Sequence, residues 1–401
     1  MKQTKIDLSV SFCGVDFKNP LIAASTDYSR TKERFSELVS SGVGGIITKS
    51  VTDAKALQSA GIARFDIRDM DQKPVRGDLP NMYTFFSRGG SMVSMEHFRQ
   101  YAKDQLAEAE AAGVVLIGSI SASKTENWVA YAKEMEEMGF PMLELNFGNP
   151  HGEAADGKLG FLIGQSPELC CDIVSQILEA VRIPVIVKLT PQISDMTALV
   201  KALQEIGAKA VTVMHRYQGL IIDPLDETPA LGGWAAIGGP WMKPIARANI
   251  SKIYRNVPGM EICGSNGVNS GRDVIEYMLC GAGLVQTGST LMLRGVSLIG
   301  EMLSEMTALM EEKGETSFSG LKGRAADKIV TYKSLGNLPE RSAQFDLEQC
   351  RACGDKPCVT RCYFGALKEE DGSLKADEDK CTGCSMCRCV CPRGAVTMKE
   401  E

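Results

Sequence analysis

Nine of the 14 cysteines crowd into the last 56 residues, in the runs CRACGDKPCVTRC at 350–362 and CTGCSMCRCVCP at 381–392. The second run reads C-x2-C-x2-C-x3-C-P. That spacing wraps three thiolates around one [4Fe–4S] cluster and sends the fourth to a neighbouring cluster. The first run is a stretched version, C-x2-C-x4-C-x3-C, with Tyr363 where a second proline is expected. Crossing the fourth ligands assigns Cys350, Cys353, Cys358 and Cys391 to one cluster. Cys381, Cys384, Cys387 and Cys362 take the other, and Cys389 is left over. Structural zinc knuckles also use C-x2-C and are the competing reading. Two such clusters mean one-electron transfer, not hydrolysis.

Single electrons need an interface that also handles pairs, and flavin is the usual one. Small-residue turns that could approach a phosphate occur at GSNGVNSGRD (264–273) and TGSTL (287–291). Lys49 and Lys188 each close an apolar run, where a buried cation needs an anionic partner such as flavin oxygens. Reaching solvent is the alternative for either lysine. The stretch ELNFGNPHGE at 144–153 ends an apolar run in two amides and a histidine, either a plain connection or the edge of an active site.

The elements that would hold these groups recur along the chain. Eight apolar, β-rich runs stand at 21–25, 45–49, 115–120, 142–147, 184–189, 210–215, 259–265 and 283–289. Their near-continuous apolar character suits parallel strands covered on both faces. Between them lie helix signatures. Ser166-Pro167-Glu168 supplies a cap, an N1 proline and an early acid. MEHFRQYAKDQLAEAEAAG and ENWVAYAKEMEEMG both end at glycine. Eight β/α units predict a (β/α)8 TIM barrel over 1–313; a doubly wound open sheet is the alternative. The connections 50–114 and 216–258 exceed ordinary loops and should emerge at the C-terminal rim. A linker is expected over 314–345 and a small ferredoxin-like domain with two [4Fe–4S] clusters over 346–401. The net charge of −6 argues against a nucleic-acid partner. No long apolar run or charged-then-apolar leader is visible, so no membrane partner and a cytoplasmic location are expected.

The segments NPLIAAST, GIITKSVT, ENWVAYAKEMEEMGFPMLELNFGNPHGE, GQSPEL, IPVIVKLTPQISD and CGAGLVQTGS resemble the FMN-binding half of the dihydropyrimidine dehydrogenase family. They are more distantly similar to class 1 dihydroorotate dehydrogenases. The resemblance covers nearly the whole chain, ferredoxin-like module included. It implies FMN contacts at Ala24, Ser25, Thr48, Lys49, Asn146 and Lys188. Gly239, Ser265, Asn266, Gly267, Gly288 and Ser289 would cradle ring and phosphate. Asn266 replaces a family glycine, and asparagine tolerates positive φ. The resemblance also implies a homo-oligomer or heterotetramer, and a separate NAD(P)H-oxidising flavoprotein or ferredoxin as electron partner. No G-x-G-x-x-G fingerprint follows a strand here, in keeping with nicotinamide bound elsewhere.

The family pattern breaks at the substrate. Where the relatives carry a proton-exchanging cysteine, this loop has Asn149, and an amide is no general acid. Ser87 and His215 replace asparagines that hold a pyrimidine ring, Asn146 stays, and Arg216 stands where threonine is expected. Arg216 suits a carboxylate or phosphate, or else pairs with Asp223. The expectation is redox chemistry at a C–C bond conjugated to a carbonyl in a small, anionic molecule. His151, His215 or a residue of EAADGKLG would supply the proton, with a lid over 152–163 hinged at Gly152, Gly157 and Gly160. NAD(P)-dependent uracil or thymine reduction is the second expectation. An electron-transfer subunit with a degenerate substrate site is the third.

Overall fold

The computed structural model describes residues 6–400 except 59–62, 90–91, 153–157, 338 and 371–372. It divides into two compact units, Met1–Lys328 and Ile329–Glu401.

In the first unit eight parallel strands close into a barrel. In chain order they are β1 (Leu21–Ala23), β2 (Gly45–Ile47), β3 (Val115–Ile120), β4 (Met142–Asn146), β5 (Val185–Lys188), β6 (Ala210–Val213), β7 (Glu261–Gly264) and β8 (Leu284–Thr287). Each lies within one of the eight apolar runs, and each pairs with its sequence neighbours until β8 meets β1. The open-sheet alternative is thereby excluded.

Side chains alternate along a strand with period two, so each strand feeds the interior in layers. One residue from every strand forms the lowest layer: Ile22, Ile47, Ile117, Met142, Ile186, Ala210, Cys263 and Leu284, all buried in one apolar cluster. Phe12 and Phe17, from the hairpin Val10–Phe12/Val15–Phe17, close that end. Each buried Ile or Phe contributes about 1.5–3 kcal/mol. Two residues further on, the layer turns polar: Glu144, Lys188, Thr212 and Gln286. Asn146 and Gly288, two residues beyond Glu144 and Gln286, line an open cavity together with Ala24 and Ser265, which lie two residues beyond Ile22 and Cys263.

Helices cover the outer face, and their ends follow the local sequence. In Pro167–Ala180 the Ser166 hydroxyl accepts the Leu169 N–H, and proline sits in the first turn. Thr125–Met138 ends on Gly139 at φ +98°, and Ser297–Lys313 ends on Gly314 at φ +69°. The segment expected as one helix before β3 is two, Met95–Arg99 and Ala102–Ala111. Tyr101 leaves helical geometry at the junction (φ −133°, ψ −11°), its ring edge-on to those of Phe98 and His97.

The two long connections join each other. Arg64–Arg68 and Thr84–Arg88 from the first pair through Ala235–Gly238 to Tyr217–Gly219 of the second, giving one four-stranded antiparallel sheet.

The second unit pairs Arg341–Phe345 with Val396–Glu400 and Leu367–Glu370 with Ser373–Ala376. Its core includes Cys350, Cys358 and Cys387 beside Ala343, Leu374 and Val396. The stretch 314–345 thus holds the division between units and a strand of the second.

Candidate active site

The rim layer opens into a cavity of about 1150 Å³ of empty space, part of it continuous with solvent. Strand ends β1, β2, β4, β5 and β7 supply Ala24, Ser25, Lys49, Asn146, Lys188 and Ser265 to its walls. The turns after β7 and β8 add Asn266, Gly267, Gly288 and Ser289. The sheet from the two insertions supplies Ser87, Phe65 and Phe85. His215 and Arg216 after β6, and Asn149 and His151 after β4, complete the lining.

Two expected contacts lie elsewhere. The Thr48 side chain turns into the barrel wall, where its hydroxyl accepts the Ser119 N–H at 3.0 Å. Gly239 is not among the lining residues; it sits behind the turn, its carbonyl 2.9 Å from where a Cβ on Gly267 would fall. That closeness, with φ +78°, restricts position 267 to glycine. Asn266 adopts φ +79°, and its side-chain amide donates to the His215 carbonyl at 2.9 Å. The asparagine thus takes the turn geometry its residue type permits.

The lysines have partners inside the protein. Lys188 donates to Glu144 at 3.2 Å and to Gln286 at 2.8 Å. Glu144 also accepts from Thr212 at 2.8 Å and Gln286 at 2.6 Å. The anionic partner sought for Lys188 in a bound flavin is therefore present in the barrel itself. Glu144 had a signal in the sequence, a lone acid inside MLELNF. Lys49 lies 3.4 Å from Asp27, and burial lowers its pKa.

Arg216 has no carboxylate partner among the described residues. Its guanidinium donates to the Ser87 hydroxyl at 2.7 Å and lies 5.8 Å from the centre of the Phe85 ring. Asp223 is exposed and accepts the Leu225 N–H instead. Burial pushes the Arg216 guanidinium down to about 10, so it stays charged at neutral pH.

Both histidines are held neutral. Burial, then Lys188 and Arg216, keep His215 well below the ordinary imidazole range. Its Nδ1 accepts the Arg216 N–H at 2.8 Å, which places the ring proton on Nε2. Burial, then Arg216 and Arg88, lower His151 to about 4. Neither ring is the protonated acid expected from an ordinary histidine pKa. The chain has only three histidines, so ¹⁵N-histidine NMR resolves them. His151 should stay neutral until the pH falls toward about 4, and His215 should remain neutral below that. Titration of either ring near 6.5 would remove the basis for this assignment.

The loop after β4 is held at many points. Asn149 is 4 % exposed, and its Oδ1 accepts the His151 N–H at 3.2 Å. Its amide nitrogen has no partner among the described residues. A Cβ on Gly148 would come 2.3 Å from that of His215, so the turn packs directly on the β6 rim. The hinge position Gly157 and residues 153–156 of EAADGKLG lie outside the described residues.

These features fit FMN and a small anion. Three cations face the cavity, two glycine turns approach it at the β7–β8 end, and buried polar atoms of Asn149 and Thr26 lack partners among the described residues.

In the second unit the cysteines form two quartets. Cys350, Cys353, Cys358 and Cys391 line one small cavity with Leu374, Ala395 and Val396. Cys362, Cys381, Cys384 and Cys387 line another with Ala343, Leu367 and Met398. Cys389 lines neither and is exposed. Among the described residues no three His, Cys, Asp or Glu side chains converge closely enough to hold a single metal ion. The thiol quartets surround spaces rather than a point. No helix among the described residues is long and apolar enough to cross a membrane.

Comparison with known proteins agrees with both units. A family model described as dihydroorotate dehydrogenase matches residues 7–310, and a 4Fe-4S binding domain model matches residues 374–397. The chain is similar to the NAD-dependent dihydropyrimidine dehydrogenase subunit PreA of Escherichia coli K12. The two are 26% identical over 98% of this chain and 96% of that one. It is also similar to the catalytic subunit of dihydroorotate dehydrogenase B (NAD(+)) from Methanothermobacter thermautotrophicus, 29% identical over 80% of this chain and 99% of the relative. The corresponding subunit of Pyrococcus abyssi is 28% identical over 79% and 99%.

Proposed function

The chain belongs to the dihydroorotate dehydrogenase family, and on that premise we propose that it oxidises or reduces a C–C bond conjugated to a carbonyl in a small anionic substrate. It is an oxidoreductase acting on CH–CH groups, with FMN and [4Fe–4S] clusters as cofactors. The observation that carries the substrate reading is Arg216, a charged guanidinium facing the cavity whose partners among the described residues are Ser87 and Phe85.

Ala24, Ser25, Lys49, Asn146 and Lys188 would hold the FMN ring, and Ser265, Asn266, Gly267, Gly288 and Ser289 its phosphate end. Bound there, FMN supplies hydride exchange with the substrate and single-electron exchange with the cluster unit. Arg216 and the Ser87 hydroxyl bind the substrate anion, and bidentate geometry orients it. Asn149 cannot move a proton, although it stands where the relatives' cysteine does. His151 can: its neutral ring offers one unprotonated nitrogen, which accepts a substrate proton in oxidation and returns it in reduction. A bound anion beside Arg216 offsets one of the charges that lower His151, moving its pKa toward the working range. His215 keeps its proton on Nε2 and donates a hydrogen bond. The cysteine quartets hold the two clusters, and a separate NAD(P)H-oxidising flavoprotein or a ferredoxin is the electron partner.

NAD(P)-linked pyrimidine reduction is the second reading. It is favoured by the near end-to-end match with the PreA relative, cluster region included. An anaerobic survey of compounds that reoxidise the reduced flavin decides between them. Conjugated carboxylic acids should reoxidise it and uracil or thymine should not. Uracil reoxidation at a comparable rate supports the second reading, and no reoxidation by any compound supports an electron-transfer subunit with a degenerate site.

A further inference from the structure

We infer that Glu144 is a positioning residue for the flavin: together with Gln286 it holds one ammonium N–H of Lys188 in place for an acceptor on the bound ring. The inference rests on the placement of Lys188 against FMN proposed above and is independent of the substrate.

Glu144, Lys188, Thr212 and Gln286 come from β4, β5, β6 and β8 and are all buried inside the barrel. Glu144 accepts on both oxygens. Its Oε1 takes the Lys188 ammonium at 3.2 Å, and its Oε2 takes the Thr212 hydroxyl at 2.8 Å and the Gln286 amide at 2.6 Å. The Gln286 carbonyl oxygen is thereby turned to Lys188, which donates to it at 2.8 Å. The opposite amide orientation would face that oxygen to a carboxylate and its N–H groups to an ammonium.

An ammonium carries three N–H groups at fixed tetrahedral angles. Two are tied to Glu144 and Gln286, so the direction of the third is set, and among the described residues it has no acceptor. Lys188 and Gln286 line the cavity, whereas Glu144, at 0 % exposure, does not. Glu144 therefore acts on a ligand through these two side chains. It also supplies the counter-charge without which a cation could not be buried at this level of the barrel.

Stability alone does not call for these groups. The layer below is filled by Ile22, Ile47, Ile117, Met142 and Ile186. Apolar side chains of similar volume could close the next layer as well, because desolvating two charges offsets most of what their pairing contributes.

The test is a double-variant cycle read on cofactor binding. FMN is titrated into flavin-free protein that retains its clusters, and the dissociation constant is read from quenching of free-flavin fluorescence. Lys188→Met should weaken FMN about tenfold to a hundredfold, as expected for loss of a hydrogen bond to a charged group. Glu144→Gln should weaken it to a similar degree. The double variant should bind no more weakly than Lys188→Met alone, because residues acting through one contact are not additive. Glu144→Asp keeps the charge but shortens the reach, and it should weaken FMN less than Glu144→Gln. Losses that add in the double variant assign Glu144 to general support of the barrel and overturn the inference. So does an unchanged or tightened FMN affinity in Glu144→Gln. An unchanged affinity in Lys188→Met is a different failure: it overturns the placement of Lys188 against the flavin, and the inference with it. Where Glu144→Gln does not fold, the cycle is run with Glu144→Asp, and the same non-additivity with Lys188→Met is required.

Discussion

Arg216→Gln should raise KM for the acid substrate about a thousandfold, with kcat changed far less. On the anionic-substrate proposal the guanidinium pairs with the anion in ground state and transition state alike. Arg216→Lys should recover only part of the loss, because an ammonium cannot form the planar two-point contact. The same variants distinguish binding from scaffolding. Arg216 donates to Ser87 and lies over Phe85, but among the described residues it completes no ion pair. Its removal therefore relieves a desolvated charge, and thermal stability should hold or rise. A lowered Tm with unchanged KM would assign Arg216 to the architecture of the rim and take the principal support from the anionic-substrate proposal.

Cys391→Ser should lower the iron content from about eight to about four atoms per chain and abolish turnover with an external electron partner. The position matters because Cys391 belongs in sequence to the second cysteine run yet lines a cavity with Cys350, Cys353 and Cys358. The lost cluster should be the one that Cys350→Ser also removes, so the two variants share one reduced-state EPR spectrum. Cys362→Ser should leave the complementary spectrum, since Cys362 lines the cavity of Cys381, Cys384 and Cys387. Cys389→Ser should retain all iron, its thiol being exposed and outside both quartets. Matching spectra from Cys391→Ser and Cys381→Ser would mean that each run closes on itself, contrary to the crossed arrangement.

Much of the scaffold was legible because its signals are local. A strand covered on both faces reads as an apolar run, and all eight barrel strands fall inside such runs. Cap residues and glycines mark helix ends where the backbone needs an oxygen acceptor or positive φ, as at Ser166 and Gly139. The insertions were visible only as excess length. Their shared sheet pairs Ser87 with Ala236 across about 150 residues of chain, and no periodicity within either insertion encodes that register. The break at Tyr101 was hidden too, since the residues on either side favour continuing the helix and no glycine or proline marks the junction.

By itself the sequence determined the eight barrel strands, the cysteine spacings, and the absence of a thiol from the loop after β4. These depend on covalent order and on side-chain chemistry, which no fold can alter. The tertiary structure decided what each polar group does. Lys188 proved to be paired with Glu144, 44 residues away in the chain, because β4 and β5 lie side by side with their interior residues in one layer. His151 and His215 lose the pKa that makes histidine an acid at neutral pH, since burial first, and then the neighbouring cations, disfavour the charged ring. Asn149, read from the sequence as a missing acid, became a fixed hydrogen-bond donor once its oxygen was seen to accept the His151 N–H.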